Sequence, residues 1–190
     1  MTAMRMPDLI HIRPAGVEDS DVIGRIHVDA WRETYRDLVP DWILDNLSAE
    51  RRAAQWRAGL SRTPRSNAVF VAEYETGGIV GFGAVGRARD LSLGCDGEIY
   101  ALYVLQSAQG LGIGRALMRT LATALLDQGS MSMSLWVLTS NANATAFYRH
   151  LGGMMAGQRS EEADGWLCHE SAYVWRDLEA AMRDFAPQRR

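Results

Sequence analysis

Gln109-Gly110-Leu111-Gly112-Ile113-Gly114-Arg115 follows a strand-like segment and opens a strongly helical one, and this stretch decides how the chain is read. Its alternating glycines leave little side-chain bulk, so successive backbone N–H groups can converge on an anion at a helix N-terminus. The context suggests a pyrophosphate cradle. A Walker-type loop needs Gly-Lys-Ser/Thr, with the lysine reaching the terminal phosphates, yet Gly114 is followed by Arg115 and Ala116. All 20 basic residues of the chain are arginines, which argues against a P-loop nucleotidase and a lysine Schiff-base enzyme alike. The dinucleotide fingerprint asks for G-x-G-x-x-G near the start of a βαβ unit and an acid about 20 positions on. Here the glycines run G-x-G-x-G deep in the chain, and Gly129-Ser130-Met131 offers no acid.

Two further blocks flank this run. Upstream stands Gly97-Glu98-Ile99-Tyr100-Ala101-Leu102-Tyr103-Val104, and downstream Asn141-x-x-Ala144-x-x-Phe147-Tyr148-x-x-x-Gly152. Gln109-x-x-Gly112-x-Gly114 resembles the Q/R-x-x-G-x-G/A signature of the GCN5-related N-acetyltransferases. The upstream block is similar to that family's fourth strand, and the downstream block to its Asn and Phe-Tyr segment. Ile12-Arg13-Pro14-Ala15 and Trp31-x-x-Thr34-Tyr35 resemble its first strand and first helix, so the similarity spans roughly residues 10 to 176. The implied fold is α/β, with a mixed, mostly antiparallel central sheet flanked by helices.

Composition agrees with a single domain. A chain of 190 residues can bury a substantial core. No apolar run approaches the roughly 18 residues of a membrane span, and Met1 to Pro7 lacks the apolar stretch of a signal peptide. Cys95 and Cys168 make neither a metal spacing nor a disulfide framework, so a reducing cytoplasm is the expected setting. His11, His27, His150 and His169 lack metal-ligand spacing, and no metal is expected. The formal net charge of −3 argues against general nucleic-acid binding.

Strands and helices alternate along the chain. Leu9 to Arg13 reads as a strand, and Glu18 to Tyr35 as a helix with Val22, Ile26, Ala30 and Trp31 at helical spacing and Asp19 or Ser20 as N-cap. Pro40 opens a second helical segment, with an arginine-rich stretch running to Leu60. Ala68 to Tyr74 and Ile79 to Arg87 form a predicted hairpin around Thr76-Gly77-Gly78. Glu98 to Leu105 is a strand, and Gly112 to Gln128 a helix striped by Ile113, Leu117, Leu121 and Leu125 and capped by Gly129. Met133 to Leu138 reads as a buried strand, Asn141 to Leu151 as a helix, and two strands flank a polar turn over residues 161–165. The expected organisation is a flexible amino terminus over 1–8, one domain over 9–176, and a carboxy-terminal helix and tail over 177–190. Leu178, Ala181, Met182 and Phe185 stripe that tail, and either a second copy of the chain or its own sheet would cover them.

The resemblance implies a chemistry. Backbone donors of Gln109, Gly110, Gly112, Ile113 and Gly114 would bind the pyrophosphate of acetyl-CoA, and Arg115 or Arg119 would reinforce that binding or lie on a solvated helix face. Backbone groups of Leu102 and Val104 would pair with the pantetheine amides, and Asn141 would touch the coenzyme or cap its helix. Acyl transfer to an amine needs the acceptor deprotonated and the thiolate protonated. Glu98, desolvated beside Ile99 and Tyr100, is the candidate base; Tyr148 is the candidate acid. A thiol nucleophile finds little support, since Cys168 and His169 point to opposite faces of a strand. The acceptor would lie between Trp31, Glu33, Tyr35, Asp37, Asp41 and Trp42 on one side and Glu161, Glu162, Asp164 and Trp166 on the other. Acids with aromatics would suit a small cationic amine. A protein or peptide amino group, and a non-catalytic acyl-CoA-binding module, stay open as alternatives.

Overall fold

The computed structural model describes residues 10–63, 67–163 and 165–186. The expectation of a flexible terminus over 1–8 lies outside the described residues, as does Asp164. Seven strands form one sheet in the order β1-β2-β3-β4-β5-β7-β6. They are β1 (Ile10–Pro14), β2 (Asn67–Tyr74), β3 (Ile79–Arg87), β4 (Gly97–Val104), β5 (Met133–Leu138), β6 (Met154–Ala163) and β7 (Trp166–Trp175). Every neighbouring pair is antiparallel except β4 with β5. The mixed, mostly antiparallel sheet expected from the sequence is therefore the sheet observed.

One feature of the register positions everything that follows. The parallel pair β4–β5 is held only at Gly97 with Met133 and Glu98 with Ser134. Beyond Glu98, β4 stays with β3 as far as Val104, whereas β5 stays with β7 as far as Leu138. The sheet is split there. Leu105 donates its N–H to the Val80 carbonyl at 2.9 Å. Alternate residues of an antiparallel strand face opposite edges, so Tyr103 turns its backbone groups to β3 while Leu102 and Val104 turn theirs to the split.

Helices cover both faces. On one lies α4 (Ile113–Asp127), whose Leu117, Leu121 and Leu125 are fully buried on a single stripe against the sheet, as the spacing predicts. Gly129, at φ 82°, ends it, with its own N–H on the Leu126 carbonyl at 2.9 Å and that of Ser130 on Leu125 at 3.0 Å. On the same face α5 (Ala142–His150) packs through Tyr148 and Leu151. The other face carries α1 (Ser20–Tyr35), α2 (Asp41–Asp45) and α3 (Ala49–Leu60). Gly24 lets α1 and α3 touch, because a Cβ there would stand 2.6 Å from the Ala53 nitrogen.

Three local readings change. The first helix begins as a 3-10 turn over Val17–Asp19; of the two cap candidates Asp19 holds the N-cap position of α1 but makes no side-chain cap bond, and Ser20 is already helical. Arg13 takes the Asp19 carboxylate in a fork at 2.7 and 2.9 Å, and the Gly16 N–H donates to it at 2.8 Å. Glu161 and Glu162 belong to β6 rather than to a turn, since the strand continues through Ala163. The carboxy-terminal stripe is turned inward: after α6 (Leu178–Ala181), Phe185 is 1% exposed and packs edge-on to Trp175 within the chain's own core.

Candidate active site

The split between β4 and β5 opens a cleft of about 610 Å³. Leu102, Val104, Gln109, Gly110, Gly112, Ile113, Gly114, Arg115, Asn141 and Tyr148 all line it, and so does Tyr35. Glu98, Trp31 and Trp42 do not.

At one end stands the glycine run. Gly110 (φ 75°) and Gly112 (φ 82°) hold left-handed backbone that side chains disfavour, and an added Cβ at either would meet no protein atom within 4 Å. Gly114 has a different reason to be small, since a Cβ there would stand 3.2 Å from the Phe147 ring. The first bond across the start of α4 runs from the Ala116 N–H to the Gly112 carbonyl at 3.0 Å. Backbone N–H groups from Gly112 to Arg115 therefore precede the helical ladder, at the positive end of the macrodipole. Two side chains here serve the chain itself. Gln109 donates to the Val104 carbonyl at 3.0 Å, closing the loop onto β4. Arg115 donates to the carbonyls of Asp184 at 2.9 Å and Ala186 at 3.3 Å, so its guanidinium anchors the carboxy-terminal segment.

At the other end stand aromatic hydroxyls. Tyr148, 8% exposed, sits on α5 beside Phe147, and burial pushes its phenol well above the usual range. Asn141 caps α5, its side-chain oxygen accepting the Ala144 N–H at 3.0 Å. Tyr35, at the end of α1, lines the cleft with it. Trp31 packs against Tyr35, the rings tilted with centroids 4.7 Å apart, and donates its indole N–H to the Tyr103 hydroxyl at 2.9 Å. Trp42 stands apart, 43% exposed. Tyr103 and Trp136 line the cleft without having been singled out from the sequence. Both lie in mostly apolar strands, where alternation alone does not reveal that a gap runs along one edge.

Glu98 is 2% exposed, at the last position before the split. The expectation was a carboxylate desolvated among apolar neighbours. Instead the β3–β4 loop folds over it: the Arg89 backbone N–H donates at 2.7 Å and Nε–H at 3.0 Å, with a second guanidinium nitrogen on the same oxygen. Three other acids near the acceptor side are also engaged. Glu33 accepts the Gln106 N–H at 2.8 Å, while Arg159 binds Glu170 at 2.7 Å and Glu161 at 3.0 Å. A second cavity, of about 760 Å³, adjoins the cleft through Leu38 and Ser140 and includes Trp166, His169 and Glu170 in its wall. Cys95 and Cys168 are buried free thiols outside the cleft wall, and burial pushes Cys168 up to about 11.

With this geometry in hand, known proteins agree on its kind. The acetyltransferase (GNAT) family pattern matches residues 30–153. An uncharacterized N-acetyltransferase, YuaI of Bacillus subtilis (strain 168), is 35% identical over 172 residues, covering 90% of this chain and 96% of that protein. Among solved structures, the ribosomal-protein-alanine N-acetyltransferase of Brucella melitensis aligns with a TM-score of 0.67 at 25% identity, over 87% of this chain and 98% of that one. The PaiA N-acetyltransferase of Thermoplasma acidophilum, in complex with coenzyme A, aligns with a TM-score of 0.65 at 18% identity, over 85% and 97%.

Proposed function

The chain belongs to the acetyltransferase (GNAT) family, and we propose that it moves an acetyl group from acetyl-CoA to a primary amine on a small molecule, directly and within a ternary complex. The observation that carries this reading is the split itself, with free backbone N–H donors at one end and a buried phenol at the other. The open space over Gly110 and Gly112 suits a pyrophosphate, because anion oxygens can approach donors that no side chain covers. The edge groups of Leu102 and the Val104 N–H suit the pantetheine amides. Asn141 holds the start of α5, and with it Tyr148, against the cleft.

In the proposed reaction the neutral amine nitrogen attacks the thioester carbonyl carbon, a C–N bond forms and the C–S bond breaks. Tyr148 donates its phenolic proton to the departing sulfur and regains one from solvent. Glu98 receives the proton lost by the amine through a relay, because its carboxylate lies beneath Arg89 and off the cleft wall. Neither cysteine is needed, and both are buried as thiols, which suits a reducing compartment such as the cytoplasm. A small acceptor is favoured by the adjoining cavity, whose volume is that of an ordinary small-molecule site.

The test is free-thiol release from acetyl-CoA with a panel of amino acids, polyamines, aminoglycosides and short peptides, with products identified by mass. Release with small amines supports the reading. Release with peptides alone would replace it by a protein amino-group acetyltransferase, and tight coenzyme binding with no product would replace it by a binding module.

A further inference from the structure

The acceptor end of the cleft is short of acceptors and rich in donors. Trp31 has only an N–H to offer, so in its 2.9 Å bond the Tyr103 oxygen accepts and the Tyr103 proton points elsewhere. Asn141 repeats the arrangement. Its carbonyl oxygen is engaged by the Ala144 N–H, so toward Tyr35 in the same wall Asn141 has only N–H to offer. Among the described residues neither phenol has an acceptor for its proton, and the buried Trp136 N–H in the same wall has no partner. Burial keeps both tyrosines protonated. The carboxylates that could offset this surplus, Glu33, Glu98 and Glu170, are each bound within the chain.

Such a wall selects against a polyamine. Glu98 and Glu170 are paired with arginines, so a second ammonium group would find only the exposed Glu33, one oxygen of which already holds the Gln106 N–H, and donors alone deeper in the wall. What the wall accepts is oxygen lone pairs, and two phenols, Tyr103 held by Trp31 and Tyr35 beside it in the lining, offer one donor to each oxygen of a carboxylate. We propose that the acceptor is an α-amino acid or close analogue, its carboxylate held by Tyr35 and Tyr103 and its side chain directed past Leu38 and Ser140 into the adjoining cavity. Tyr103 is then a specificity-determining residue and Trp31 a positioning residue that acts through it. The proposal rests on the acetyl-transfer reading above and adds the substrate class.

The experiment compares amino acids with their decarboxylated amines, their amides, spermidine and short peptides, using the full chain and thiol release, with acetyl-CoA affinity measured separately by calorimetry. The expected result is that the best amino acid exceeds its decarboxylated amine at least 100-fold in kcat/KM, because a site built to bond a polar group rejects the analogue lacking it. Tyr103→Phe keeps the ring and should raise KM for the amino acid and shrink that preference about tenfold. Trp31→Phe should produce part of the same loss, again in KM rather than kcat. Preference for spermidine, peptides or decarboxylated amines would overturn the assignment while acetyl transfer stands. So would a Tyr103→Phe loss equal for both members of the pair. Absence of acetyl-CoA binding would overturn the transfer reading along with it.

Discussion

Arg89 closes over the Glu98 carboxylate at the last position where β4 and β5 still pair, donating from its backbone N–H at 2.7 Å and from Nε at 3.0 Å. The pairing is lopsided, because the Arg89 side chain is 66% exposed while Glu98 is buried. Removing each partner should therefore have different consequences. Arg89→Ala leaves a buried carboxylate short of donors and should lower stability by about 2 kcal/mol, below the fully buried case because water reaches the guanidinium. Glu98→Gln keeps the shape and should lower stability less, while reducing kcat about 100-fold if the proton relay runs through it. Urea unfolding of both variants, alongside turnover, checks the pair. Equal and small stability losses would mean that the clasp holds nothing.

Tyr148 is the proposed proton donor to the departing sulfur, and its ring is locked between Phe147 and Trp175. Tyr148→Phe preserves that packing and removes only the hydroxyl. Turnover should fall about 100-fold, with acetyl-CoA affinity changed less than about twofold. An unchanged kcat would remove the residue from the chemistry.

Gly112 separates backbone strain from ligand contact. Alanine there must adopt φ 82°, at a penalty of about 1 kcal/mol. The new methyl meets no protein atom within 4 Å, so any further loss of coenzyme affinity arises at the ligand. Gly59→Ala serves as the control, since its Cβ also meets open space and no positive φ is involved. Helix propensity predicts that it gains roughly 0.5 kcal/mol, with coenzyme affinity unmoved. Calorimetric titration of both variants with coenzyme A distinguishes them, and equal affinities would deny the loop its anion.

The contrast between these glycines indicates how far the sequence could be read. The strand β4, the glycine turn and the α4 stripe were legible because each is a local pattern, of strand or 3.6-residue periodicity or of a conformation few residues tolerate, whereas the gap beside β4 leaves no such mark. The partners of charged groups were not, because they are long-range. Arg89 and Glu98 are 9 residues apart and Arg159 and Glu170 are 11, each pair brought together by a hairpin. Trp31 and Tyr103 are 72 apart and meet only because α1 crosses β4. Two of the acids named for a cationic amine, Glu33 and Glu161, were thus already engaged, and the Tyr103 and Trp136 donors in the cleft wall are ones that composition does not reveal.

His27 offers a prediction in pH. It lies on α1 with its ring stacked on Tyr103 at 4.9 Å and flanked by Trp31, Trp56 and Phe82. Its Nδ1 accepts the Trp56 indole N–H at 3.2 Å, so the neutral ring carries its proton on Nε2. Charging the ring would put a proton where Trp56 already donates. Burial, reinforced by the nearby Arg52 charge, pushes His27 down to about 4 from the ordinary 6.5. The unfolded chain therefore binds a proton that the folded chain refuses between those values, and stability rises with pH across that window. It should be level above pH 6.5 and fall by roughly 3 kcal/mol on approach to pH 4. Ordinary carboxylates titrate mostly below the window, and the Asp19 carboxyl beside Arg13 is held lower still. Urea midpoints at pH 7.5, 6.0 and 5.0 should decline in the parent chain and stay nearly flat in His27→Phe, which keeps an aromatic ring in the stack. Equal slopes in the two proteins would assign the acid sensitivity to another group.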